Sequence, residues 1–186
     1  GPKKALEVEW DRLRAIGNTG CWDESAPREY NEIVRECKAQ GKAAHFGRIF
    51  EICVEKNSHL PEGDPSRKFK GRVVYQGNNV TDQWGMAAVF EELSSCPATM
   101  AASKACDPIA CLPGNIGQQS DATMAYTQAP FLGTETWVFA PKHQWPKSWI
   151  DKGMRCPVCP LLLALYGHPA RGGYWGQHCE QYLIKL

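Results

Sequence analysis

Residues 45–78 read HFGRIFEICVEKNSHLPEGDPSRKFKGRVVYQGN, and the spacing of their apolar residues decides what kind of chain this is. Two runs, HFGRIFEICVEKN (45–57) and FKGRVVYQGN (69–78), are rich in β-branched and aromatic residues with the short-period alternation of strands. Between them SHLPEGDPSRK is dense in turn formers. Two strands and a loop predict a β-hairpin. Lys68, Lys70 and Arg72 begin its second strand, and Lys70 and Arg72, two residues apart, share one face. Taken alone, such a row reads as a solvated edge strand whose lysines discourage further pairing.

On the N-terminal side the period lengthens. Leu6, Trp10 and Leu13 recur at helical spacing, which predicts a helix over 3–16 closed by Gly17. A second helix is expected over 27–40, with Ser25 as its cap, Pro27 in its first turn and Gly41 at its end. Downstream, SSCPATMAASKACDPIAC (94–111) is Ala-rich and helical in character. Ser95 can cap it, and Pro108 should end or kink it near Cys106. LPGN then turns the chain into QQSDATMAYTQAPFLG (118–133), where Asp121 follows a run that could be a strand and Tyr126 comes five residues later. ETWVFAP (135–141) is another β-rich run, and a loop with Trp145 and Trp149 leads to CPVCPLLLALYGHPARGGYW (156–175).

Composition bounds the function. At 186 residues, 43% of them hydrophobic and seven of them Trp, the chain has material for one core or one core with a small appendage. A net charge of +1 excludes a global basic field, so a nucleic-acid surface has to be local. The longest apolar run, PLLLALYG at 160–167, is too short to cross a membrane. Nine Cys without a secretory signal read as free thiols in a reducing, intracellular and cytoplasmic setting. The chain opens on Gly1 and stops at Leu186 without a breaker, which reads as a piece of something longer.

FKGRVVYQGN, SSCPATMAASKA, QQSDATMAYTQAPFLG, ETWVFAP and VCPLLLALYGHPARGGYW occur in this order. Together they resemble the successive blocks of the copia-type retrotransposon reverse transcriptase: a basic Lys-x-Arg strand, a Pro-started helix, an Asp-x-x-x-Ala-aromatic block, a short strand ending in Pro, and Cys-x5-Leu-Tyr-Gly (Cys159 to Gly167). The resemblance covers most of the chain. It implies an α+β fold, the fingers and first part of the palm of a right-hand polymerase, with a mixed sheet packed by helices. Residues 1–44 would be an N-terminal helical segment, 45–117 the fingers-like hairpin and helix, and 118–186 a partial palm within a Pol polyprotein.

The site residues follow from the same resemblance. Asp121 matches the aspartate that holds both catalytic Mg²⁺ ions, and the Ala122 carbonyl helps hold the nucleotide-bound one. Such chemistry needs hard oxygen ligands for two metals roughly 4 Å apart. Tyr126 matches the aromatic that excludes a 2′-hydroxyl. Lys70 and Arg72 match the basic strand that reaches the triphosphate, Arg72 the better suited by its fork of donors. Gly167 matches the glycine that lets backbone approach the nascent base pair. The implied partners are an RNA template, a DNA primer, deoxynucleotides and the remaining Pol segments, in a cytoplasmic virus-like particle.

Four departures limit what this chain does alone. No Tyr-x-Asp-Asp block is present, so the second carboxylates are expected beyond Leu186. The run before Asp121, NIGQQS, is polar where the family is apolar. HPARGGYW replaces the usual basic-Gln-x-Pro-Arg stretch. The 27–40 helix stands as an insertion, and Asp107-Pro108 interrupts a helix that the family keeps apolar. Two other classes remain open: a non-catalytic nucleic-acid-binding remnant that uses the basic strand and exposed aromatics, and a small zinc-stabilised module. Zinc would draw on Cys156, Cys159, His168, His178 and Cys179, but His178 and Cys179 are adjacent, which is poor geometry for two ligands. A redox C-x-x-C is weaker still, because Pro160 and an apolar run follow it.

Overall fold

The hairpin anticipated in residues 45–78 is the spine of the molecule. The computed structural model describes residues 1–90, 99–119 and 121–185. Its elements are α1 (Pro2–Arg14), β1 (Arg28–Glu29), α2 (Tyr30–Gln40), β2 (His45–Lys56), β3 (Lys68–Tyr75), β4 (Thr81–Asp82), α3 (Met100–Ala110), the single turn α4 (Ala125–Gln128), β5 (Thr136–Phe139), α5 (Lys147–Asp151), β6 (Pro157–Pro160) and α6 (Arg171–Leu183). A short 3₁₀ turn at Lys142–Gln144 precedes α5.

One mixed sheet runs in the order β1-β6-β5-β2-β3, with β4 also paired to β2. The long strand β2 has two halves with different jobs. Its first residues lie parallel to β5, His45 opposite Thr136 and Arg48 opposite Phe139. From Ile49 onward it pairs antiparallel with β3. The register places Ile52 opposite Arg72, Val54 opposite Lys70 and Lys56 opposite Lys68, so the three cations do share one face. That face is open: Phe50, Ile52 and Val54 are all exposed.

Helix α1 covers the other face. Its Trp10 and Leu13 are fully buried with Ile49, Val73 and Tyr75, and Trp10 meets Trp22 edge to face at 5.3 Å. Gly71 permits this packing, because a Cβ there would run into the Ala5 backbone of α1. The Trp10 indole N–H donates to Glu51 at 2.5 Å, and His143 and Gln144 reach the same carboxylate. Burial raises the Glu51 pKa, but these three hydrogen bonds outweigh it and hold the group below its ordinary range. A second cluster, Ile33, Cys37, Phe46, Trp137 and Val158, seats α2 on the sheet.

Several local expectations change. The segment before α2 is extended rather than helical. Arg28 and Glu29 pair with Val158 and Pro157 as an edge strand, and α2 starts at Tyr30. The Glu29 carboxylate is held there by the Arg155 and Cys156 N–H groups at 2.7 and 2.9 Å. Ser25 bonds to Asp23 instead of capping a helix. Pro108 does not stop α3, which continues to Ala110. The missing N–H falls in the last turn, where only one ladder bond is forfeited. The start of α3 is capped by Thr99, whose hydroxyl accepts from Ala102 N at 3.1 Å; Ser95 lies outside the described residues. Nor is there a strand ahead of Asp121 among the described residues, since 115–119 is irregular and exposed. A polar run without an apolar face has nothing to bury against the sheet. No described helix is long and apolar enough to cross a membrane.

Candidate functional site

Three segments far apart in sequence meet beside the end of β3. The Leu-Tyr-Gly turn docks there through a hydrogen bond from Tyr75 N to the Tyr166 carbonyl at 2.6 Å. Gly167 takes φ +90°, and a Cβ on it would overlap the Tyr75 carbonyl. Gly77 faces the Gly167 carbonyl in the same way. The close approach that demands glycine at 167 is therefore to β3 of the same chain.

This docking sets Tyr166 between two of the residues singled out by sequence. The Arg72 guanidinium lies 5.4 Å from the Tyr166 ring centroid. Tyr166 in turn meets Tyr126 edge to face at 5.1 Å. Arg171, at the start of α6, lies 5.4 Å from the Tyr126 centroid and donates to the His168 carbonyl at 3.0 Å. The result is a continuous column, Arg72–Tyr166–Tyr126–Arg171, with a cation at each end. Sequence reasoning missed Tyr166 and Arg171. The available signal was the aromatic next to Gly167 in the block already noted.

Each member is positioned by a nameable cause. Met124 in the left-handed region (φ 56°) starts α4, and Thr127 is buried with its hydroxyl donating to the Met124 carbonyl at 2.9 Å. That fixes Tyr126 one residue earlier. Arg72 also reaches Glu9 of α1 at 3.4 Å, a largely buried carboxylate. An anion arriving at Arg72 has to compete with Glu9. Lys70 lies on the same strand face, and its pKa is lowered by the neighbouring positive charges of Arg72 and Lys56, with a smaller contribution from burial. The cations there repel one another, which is the electrostatic character of a surface suited to an anion.

Asp121 and Ala122 stand apart from this column. Both are exposed, and among the described residues Asp121 makes no hydrogen bond or ion pair. No group of three His, Cys, Asp or Glu side chains able to hold a metal ion occurs among the described residues. One exposed carboxylate and a backbone carbonyl do not complete a two-Mg²⁺ site. The zinc candidates are also dispersed. The Cys159 thiol is buried against the Val138 carbonyl, Cys156 is exposed, and His168 is enclosed by aromatic rings. Burial pushes the Cys159 thiol well above its ordinary range, which leaves it inert.

No protein-family model matches this chain, and neither a curated protein nor a solved structure matches it.

Proposed function

We propose that this chain is the fingers and first part of the palm of a copia-type RNA-directed DNA polymerase. In the complete enzyme Asp121 and Ala122 would serve as ligands in a two-Mg²⁺ nucleotidyl-transfer site whose other carboxylates lie outside these residues. The observation that carries the reading is the column of Arg72, Tyr166, Tyr126 and Arg171. It draws together the basic strand, the Asp-x-x-x-Ala-aromatic block and the Leu-Tyr-Gly block, three pieces assigned to one nucleotide site on sequence alone. A cation beside a triphosphate and rings beside base and sugar are the groups such a ligand needs.

The chain as it stands tests the binding half. A deoxynucleoside triphosphate should bind at low salt, and Arg72→Gln should weaken it about tenfold, the worth of one charge-assisted contact. Equal affinity in the variant removes Arg72 from the site. Polymerisation is tested on a longer protein that includes a Tyr-x-Asp-Asp block. Primer extension should occur there and vanish in Asp121→Asn; retained extension in that variant sinks the metal-ligand role.

A second reading, a nucleic-acid-binding remnant without catalysis, is favoured by one observation. The hairpin face carrying Lys68, Lys70 and Arg72 is open and lined by exposed Phe50, Ile52 and Val54. It would give salt-dependent binding of single strands with no extension by the longer protein.

A further inference from the structure

Helix α1 turns Glu9 inward beside Trp10, against the cation that heads the column, and leaves its side chain only 8% exposed. The two carboxylate oxygens face two different cations. Oε1 lies 3.4 Å from Arg72 Nη1, and Oε2 lies 3.9 Å from Nη1 of Arg12, about one turn along α1. Among the described residues this carboxylate has no other hydrogen-bond or ion-pair partner. Both contacts are long for a charge-assisted pair, which closes to about 2.7–2.9 Å when fully made. The same hairpin contains a closed pair for comparison: Arg67 grips both oxygens of Glu55, Nε and Nη2 each at 2.9 Å. Arg72 engages Glu9 through a single N–H, and its other donors make no hydrogen bond among the described residues. The Arg12 side chain is 43% exposed, and Glu9 is its one ion-pair partner there.

We propose that Glu9 and Arg12 are positioning residues for anion binding at Arg72: Glu9 holds the guanidinium while the site is empty, and Arg12 takes over Glu9 when a phosphate draws Arg72 away. The inference rests on the nucleotide reading of the column and names what sets the affinity of that site. A carboxylate this buried is costly to leave without a cation. A phosphate at Arg72 therefore binds by exchange, and its affinity is reduced by the fraction of molecules in which Arg72 stays on Glu9. Arg12 already stands at the other oxygen, on an exposed side chain free to close the remaining distance. Lys70 registers the same balance of charge. Arg72 and Lys56 repel it, and Glu9 offsets part of that repulsion.

Calorimetric titration of the intact chain with dATP at low salt tests the exchange through double-mutant cycles. Glu9→Gln keeps the side-chain shape and removes the competing charge, so it should bind dATP about tenfold more tightly than the parent. A purely structural Glu9 gives no such gain. In the Arg72→Gln background the gain should fall to about twofold or less, the share due to general charge repulsion. Arg12→Gln, outside the column, should weaken dATP binding about threefold, and Arg12→Lys should keep the parental affinity. Most of the Arg12→Gln loss should disappear in the Glu9→Gln background. Equal affinity in the parent and Glu9→Gln overturns the proposal and leaves the nucleotide site standing. So does a gain that survives Arg72→Gln undiminished, or an Arg12→Gln loss of the same size without Glu9. No binding by either the parent or Glu9→Gln up to about 10 mM dATP overturns the proposal and the nucleotide reading together.

Discussion

Gly167→Ala should destabilise the protein by at least about 3 kcal/mol, a drop in melting temperature of roughly 10 °C for a chain of this size. Two penalties combine. The backbone at 167 sits at φ +90°, outside the ordinary left-handed well of residues with a side chain. The new methyl would also meet the Tyr75 carbonyl, which is backbone within the sheet and cannot swing aside. Gly153 separates the two terms. It has φ +65° and open space around it, so Gly153→Ala should cost only about 1–2 kcal/mol. Urea denaturation of both variants gives the comparison. Equal losses would mean that the contact with β3 is not what the glycine serves. Because the same turn holds Tyr166 against Arg72, Gly167→Ala should also weaken triphosphate binding under conditions where it stays folded.

The same residue shows what was legible in the sequence and what was not. A glycine in Leu-Tyr-Gly advertises a close approach, but sequence cannot say to what, because the neighbour is a strand end nearly a hundred residues earlier. The hairpin was readable because alternation and turn chemistry are local. Helix α1 was readable for the same reason, through the spacing of Leu6, Trp10 and Leu13. Strand β1 was not, since two residues carry no period and their extended form is set by β6 beside them. Pro108 misled because the cost of a proline depends on how near the helix end it falls. Of the candidate site, Arg72 and Tyr126 are legible as members of one nucleotide site; that Tyr166 joins them and Arg171 closes the column depends on docking between distant segments.

Acid should weaken the fold through His168 well above the pH at which most carboxylates titrate. Burial lowers its pKa from 6.5 to about 4, with smaller contributions from the positive charges of His45 and Arg171. Tyr75 and Tyr174 face the ring and remain neutral throughout this range, since burial raises the pKa of both. In the unfolded chain the imidazole takes up a proton near pH 6.5, while in the folded chain it resists until about pH 4. The unfolded state therefore binds more protons across that window, and stability rises with pH within it. The contribution is complete above about pH 6.5 and is lost as pH falls towards 4, amounting to about 3 kcal/mol. His45, whose pKa is lowered chiefly by burial, adds in the same direction. Replacing the imidazole by a ring that cannot titrate isolates the effect. In His168→Phe the dependence of unfolding free energy on pH between 6.5 and 4 should flatten by about that amount, whatever the variant's stability at neutral pH. An unchanged slope would place the acid sensitivity elsewhere.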